Sequence, residues 1–169
     1  RIHECVESWI ESALRDKDYL LVVHQIRNRV MAITFLATTA VLLMGFMIGF
    51  TNINTVIGEL EGTISLENYP AWVVVGTLGY SILNFLLSLR YLTQLTILVK
   101  SDPEKLRAVE KRDPIKYLRK LFVNGNWEYT IGRRSMLYAI VAMSWFINVW
   151  LFIVLTIILT IGFAYMHDI

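Results

Sequence analysis

Cysteine is all but missing from this chain of 169 residues, since Cys5 stands alone, and a disulfide-scaffolded fold is therefore excluded. Proline occurs three times and glycine nine times, too few for a collagen-like or a Pro/Gly-rich disordered chain. Charge is scarce as well, with 18% of residues Asp, Glu, Lys or Arg against 56% apolar and a mean hydropathy of +0.52. A water-soluble domain does not carry that balance. Neither a G-x-G-x-x-G turn nor a P-loop is present, and His3, His24 and His167 lie apart without ligand-spaced partners, so no cofactor and no metal is expected. Asp16 and Asp18 near His24 read as helix caps rather than a cation site. Cys5 has no recognisable base beside it, and no enzymatic activity is expected. The basic residues of 100–120 are interleaved with Glu104, Glu110 and Asp113, a solvated helical surface and not a nucleic-acid stripe.

What the chain does have is length without charge. Residues 30–58, 68–89 and 135–166 contain no Asp, Glu, Lys or Arg, and each run exceeds the roughly 20 residues that a helix rising ~1.5 Å per residue needs to cross a hydrocarbon core. The runs are continuously apolar rather than alternating, which disfavours an outer-membrane barrel. The expected fold is all-α: a polytopic helical membrane protein forming one membrane domain over 1–169. Its spans lie at about 30–51, 71–90 and 135–160, with short amphipathic cytoplasmic helices including a segment at 101–126. The chain begins with Arg1 rather than Met, and a fourth, N-terminal helix upstream is part of this expectation.

Basic residues set the orientation. Arg1, Arg15, Lys17, Arg27 and Arg29 precede the first span, the other eleven fall between the second and third, and the 52–70 loop holds only acidic charge. Because Lys and Arg stay on the cytoplasmic side, 1–29 and 90–134 are expected inside, and 52–70 and the C-terminus outside, a plasma or inner membrane.

Residues 2–14 have helical spacing of apolar positions opposite Glu4, Glu7 and Glu11. A long helix is expected from about Tyr19 to near Phe50, closed by a polar turn at Thr51, Asn52, Asn54 and Gly58. Pro70 opens the second, from Ala71 to Val99. Ser101-Asp102-Pro103 and Asp113-Pro114 each open a cytoplasmic helix. The second of these is expected to stop at Asn124-Gly125-Asn126, with Asn126 capping a last helix from Trp127 to about Tyr165.

Two constellations stand out. Thr77, Ser81, Asn84, Ser88 and Tyr91 recur at steps of four and three and share one helix face, while Thr34, Thr38 and Asn148 supply polar groups in the other spans. Such groups face protein or water, since an unsatisfied hydroxyl in hydrocarbon costs several kcal/mol. They act either as helix glue or as the lining of a hydrated path. Arg27, Arg90, Arg133 and Arg134, with Asn28, Gln94 and His24 close in depth, sit at the cytoplasmic ends of the expected spans. Arg90 has apolar sequence on both sides and is expected to pair with Glu128 or to point into a cavity.

Three stretches carry a resemblance: HQIRNRVMAITFLATTAVLL (24–43), SLRYLTQLTILVKSDP (88–103) and IGRRSMLY (131–138). Arg27, Asn28, Met31, Ala32, Thr38 and Thr39 match an Arg-Asn pair followed by Met-Ala and a Thr-rich span. Ser88, Arg90 and Gln94 match a second pattern, and Gly132 with Arg134 a Gly-x-Arg before the final apolar run, where the aromatic is displaced by one position. The chain thereby resembles the uncharacterised membrane family of domain-of-unknown-function 599, over most of its length. That resemblance implies four spans with an extra N-terminal helix, and brings no activity.

The expected function is a homo-oligomeric membrane channel or transporter-like protein for small ions with a basic inner vestibule, because three helices packed 8–10 Å apart enclose no lumen. The rival is a non-conducting scaffold or accessory subunit that docks a partner through its cytoplasmic helices. Expected partners are the lipid bilayer, other copies of the chain and anionic headgroups, and no nucleic acid.

Overall fold

The protein is seen as a computed structural model that describes residues 19–61, 69–99 and 114–167. The expected helices at 2–14 and 101–112, with Cys5, Asp16 and Asp18, lie outside the described residues. Among the described residues all elements are helical: α1 (Tyr19–Glu61), α2 (Tyr69–Val99), α3 (Pro114–Met143), a single 3-10 turn (Ser144–Phe146) and α4 (Val149–His167). Pro70 and Pro114 fall in first turns, where a missing N–H is harmless, and no proline interrupts a helix later.

The chain forms two compact units, one from residues within Arg1–Leu36 and Asn84–Thr130, the other from Ala37–Leu83 and Ile131–Ile169. In the first unit the buried positions include Val22, Ile26 and Ile33 of α1, Phe85, Ser88, Leu92, Leu95 and Val99 of α2, and Leu118 and Leu121 of α3. In the second they include Ala40, Met47 and Thr51 of α1, Ala71, Val74, Leu78 and Ser81 of α2, and Met136 and Ala139 of α3. Along α2 these positions step alternately by three and four. Such a 3.5-residue repeat keeps one seam facing its neighbours, as the knobs of a coiled coil do.

Three expectations give way. α1 does not turn at Thr51 but continues to Glu61, and the Thr51 hydroxyl donates to the Met47 carbonyl at 2.8 Å, so this polar residue is satisfied without leaving the helix. α3 runs unbroken through Asn124-Gly125-Asn126, so no helix stops there and Asn126 caps nothing. Gly125 serves packing instead: a Cβ at this position would stand 3.1 Å from Leu92 Cγ and 3.4 Å from Tyr91 Cβ.

The third correction concerns the last apolar run, which is not one helix from Trp127 to Tyr165, so the expected span at 135–160 is interrupted. The Ser144 hydroxyl donates to the Val141 carbonyl at 2.6 Å, and the amides of Ile147 and Asn148 both donate to the Ser144 carbonyl at 3.0 Å, closing α3. Asn148 then caps α4, its Oδ1 accepting the Trp150 amide at 2.8 Å. The chain reverses there. Tyr138 and Thr160, which one straight helix would hold ~33 Å apart, share a hydroxyl–hydroxyl bond of 3.1 Å. The rings of Tyr138 and Phe163 lie 5.8 Å apart edge to face, and those of Trp145 and Phe152 stack at 5.1 Å beside the turn.

Replacing Gly125 with Val is expected to cost about 1–3 kcal/mol by overpacking against Leu92. Gly45→Ala, where a Cβ meets nothing within 4 Å, is expected to leave the thermal midpoint in detergent unchanged or slightly raised. Equal midpoints for the two variants would contradict the close approach at Gly125.

Candidate functional site

Two serines tie α2 to α3. Ser88 is fully buried and its hydroxyl donates to the Gly125 carbonyl at 2.7 Å; Ser81, likewise fully buried, donates to the Gly132 carbonyl at 2.7 Å. Each serine is seven residues from the other, as is each glycine, and the order is reversed, so the two bonds describe one antiparallel register. Glycine exposes its carbonyl and lets the partner backbone approach, which is why a short hydroxyl reaches it. Asn84, between the serines, is also buried.

The threonines satisfy themselves differently. Thr34 donates to the Val30 carbonyl at 2.9 Å and Thr77 to the Val73 carbonyl at 2.8 Å, each one turn back on its own helix. Thr34 and Thr38 are exposed on α1 and Thr77 is half-buried on α2. Asn148 is exposed at the start of α4, where its side chain is the cap described above. Of the seven polar residues singled out by spacing, then, Ser81, Asn84 and Ser88 share the buried seam and the other four do not join it.

The cationic residues separate in the same way. In the first unit Arg27, Asn28 and Arg90 are exposed, and Gln94 is half-buried. Arg90 lies on the surface of the single chain. Arg29 donates from Nη1 to Asn126 Oδ1 and lies 5.7 Å from the centroid of the Tyr129 ring. Tyr129 in turn packs on Phe85, centroids 6.4 Å apart. Sequence reasoning passed over Arg29, although it falls on the stripe of Ile26 and Ile33 that carries α1's buried face. In the second unit Arg133 is exposed and Arg134 half-buried, the latter with its guanidinium carbon 5.3 Å from the Phe163 ring centroid and its buried Nε without a hydrogen-bond partner.

Both residues follow Gly132, whose carbonyl receives Ser81, so they stand beside Ser81. Along α2 that serine is nine residues, ~14 Å, from Arg90. Among the described residues no three His, Cys, Asp or Glu side chains gather into a metal-binding group.

What these features define is an all-helical protein held by a serine–glycine seam, with two helical segments, Val22–Ile53 and Pro70–Val99, long and apolar enough to cross a membrane, and a shorter apolar helix at Val149–Tyr165. The chain belongs to the family described as protein of unknown function, DUF599, which matches residues 2–169. No curated protein and no solved structure matches it.

Arg29→Ala is expected to lower stability by about 1–3 kcal/mol, through loss of the charged hydrogen bond to Asn126 and the contact with Tyr129. Arg27→Ala, at an exposed position, is expected to stay within about 0.5 kcal/mol. Unfolding midpoints of the two variants check this, and a larger loss at Arg27 would reverse the assignment.

Proposed function

We propose that the chain is an integral protein of the plasma or inner membrane that assembles from several copies and passes small anions along a hydrated, arginine-bearing face of α3. The observation that carries this reading is the depth of Arg133. It adjoins Gly132, and Gly132 is bonded to Ser81, eleven residues and therefore ~16 Å along α2 from Pro70, close to the middle of the uncharged run 68–89. Arg133 is exposed there. A charge at the bilayer centre costs ~2.5–3.5 kcal/mol or more, and arginines at such depth face a bundle interior or a water-filled cavity and mark ion pathways. Water between copies removes that cost, and a cationic wall favours anions over cations. Ser81 and Ser88, bonded to backbone carbonyls inside one chain, leave the path-lining set and belong to the seam.

Orientation follows the basic residues, with Arg27 and Arg90 inside. Because α4 runs back beside α3, this reading brings the C-terminal end of α4 towards the side from which α3 enters, whereas the sequence alone put it outside.

A second reading has its own support. Ser81, Ser88, Thr34 and Thr77 all bond to carbonyls within the chain, which is how helix glue behaves, and a non-conducting scaffold or accessory subunit would need nothing more.

Purified protein of measured oligomeric mass, reconstituted in liposomes, separates the two. Chloride or nitrate flux that falls at least tenfold in Arg133→Gln and little in Arg27→Gln is the expected result. A stable oligomer that carries no small ion at all would contradict the conduction reading and favour the scaffold.

A further inference from the structure

The turn between α3 and α4 is unlike a loop that stands in water. Such loops collect Ser, Asn, Asp, Gly and Pro and leave part of their backbone to the solvent. Here residues 135–166 contain no Asp, Glu, Lys or Arg, and the turn reads Ser144-Trp145-Phe146-Ile147-Asn148-Val149-Trp150. Its apolar members face outward: Ile147 is 82% exposed and Trp150 76%, with Trp145, Phe146 and Val149 exposed beside them.

The backbone of this turn is bonded within the chain. The Ser144 carbonyl accepts the Ile147 and Asn148 amides, Asn148 Oδ1 accepts the Trp150 amide, and the Asn148 carbonyl accepts the Phe152 amide at 3.1 Å. The Ser144 hydroxyl is taken by the Val141 carbonyl. Four amides at a helix break, groups that a soluble turn hands to water, are thus held by Ser144 and Asn148 alone. Where water is scarce, a break between helices survives only if such groups find partners inside the protein.

The serine–glycine register gives the depth. Gly132 lies level with Ser81, near the middle of the uncharged run 68–89, and Ser144 and Asn148 stand 12 and 16 residues further along the chain, ~18–24 Å at helical rise. The hydrocarbon core ends ~15 Å from its middle and the headgroup layer adds roughly 5–7 Å. The turn therefore falls among the headgroups, the level that suits an indole with its apolar body and single N–H. Trp72, exposed on α2 two residues after Pro70, and Phe50 of α1, whose ring meets Phe146 edge to face at 5.6 Å, bring aromatic side chains of the other two helices to the same end.

We infer that the α3–α4 turn is a lipid-seated anchor: residues Trp145–Trp150 dock into the headgroup layer of the leaflet that α2 enters at Pro70, with lipid against Ile147 and Trp150. The hairpin is then held at its depth by its own tip and offers no water-borne loop at that surface. The inference rests on the membrane placement of the chain and not on conduction. A protein that passes no ion still has this anchor.

The test uses the full chain in a Cys5→Ser background, spin-labelled at one introduced cysteine, Ile147→Cys, Trp150→Cys or Leu83→Cys, and reconstituted in phosphatidylcholine vesicles. Electron paramagnetic resonance reads the collision rates with oxygen, which concentrates in lipid, and with a neutral nickel chelate, which stays in water. At Ile147→Cys and Trp150→Cys a several-fold preference for oxygen is expected, smaller than that at Leu83→Cys, an exposed position two residues from Ser81. Preference for the chelate at the turn alone would overturn the anchor and leave the membrane placement standing, whereas the same preference at Leu83→Cys as well would overturn both. Protection of the turn from both reagents would also overturn it, since another copy of the chain would then cover the tip. Circular dichroism checks the fold of each variant, and Ile147→Cys carries the test by itself if Trp150→Cys fails to fold.

Discussion

The rest of the structure depends on two hydroxyl-to-carbonyl bonds, Ser88 to Gly125 and Ser81 to Gly132, that fix α2 against α3 in a single antiparallel register. Apolar side chains alone specify such a register poorly, because one leucine layer resembles the next. A buried hydroxyl removes that degeneracy: displaced by one turn it would face aliphatic carbon, and the unmade bond would cost about 1–3 kcal/mol. Glycine completes the device by offering a carbonyl that no side chain shields, and at Gly125 also by leaving no room for a methyl group beside Leu92. From this register follows the depth of everything further along α3, including Arg133 and Arg134.

The hairpin at Ser144–Asn148 is the second constraint. Here one serine and one asparagine make the turn: the Ser144 carbonyl accepts the amides of Ile147 and Asn148, and Asn148 caps the new helix. The consequence is that α4 returns along α3 and brings Phe163 to Arg134. In one unbroken helix Arg134 and Phe163 would stand ~43 Å apart, and the turn brings them into contact.

The sequence made a good part of this legible. The uncharged runs located α1 and α2, Pro70 fixed where α2 opens, and the three-and-four spacing of Ser81, Asn84 and Ser88 identified one shared face, which is the buried seam. What misled was the assumption that glycine and asparagine punctuate a chain wherever they cluster. At Asn124-Gly125-Asn126 the glycine is there for a close approach from α2, and Asn126 is there for Arg29, neither of which leaves a trace in local sequence. The reverse error occurred at Asn148. Flanked by apolar residues it read as one more polar group inside a span, although an asparagine four residues after a serine carries the materials of a helix stop and a helix start. Arg29 was missed because attention went to the Arg27-Asn28 pair, while only the third residue of that group falls on the stripe through Ile26 and Ile33. The family assignment suggested by the Arg-Asn and Gly-x-Arg patterns holds over residues 2–169.

The account is tested most directly by the register itself. In a Cys5→Ser background, cysteines at Val74 and Ala139, both fully buried and seven residues beyond Ser81 and Gly132, are set face to face by that register. Oxidation of the expressed protein in isolated membranes should join Val74→Cys to Ala139→Cys within one chain and leave the pair Val74→Cys with Met143→Cys, one turn out, largely unjoined. A stronger link in the displaced pair, or none in either, would mean that the serine–glycine bonds do not set the packing of α2 on α3, and the depths assigned to Arg133 and Arg134 would go with them.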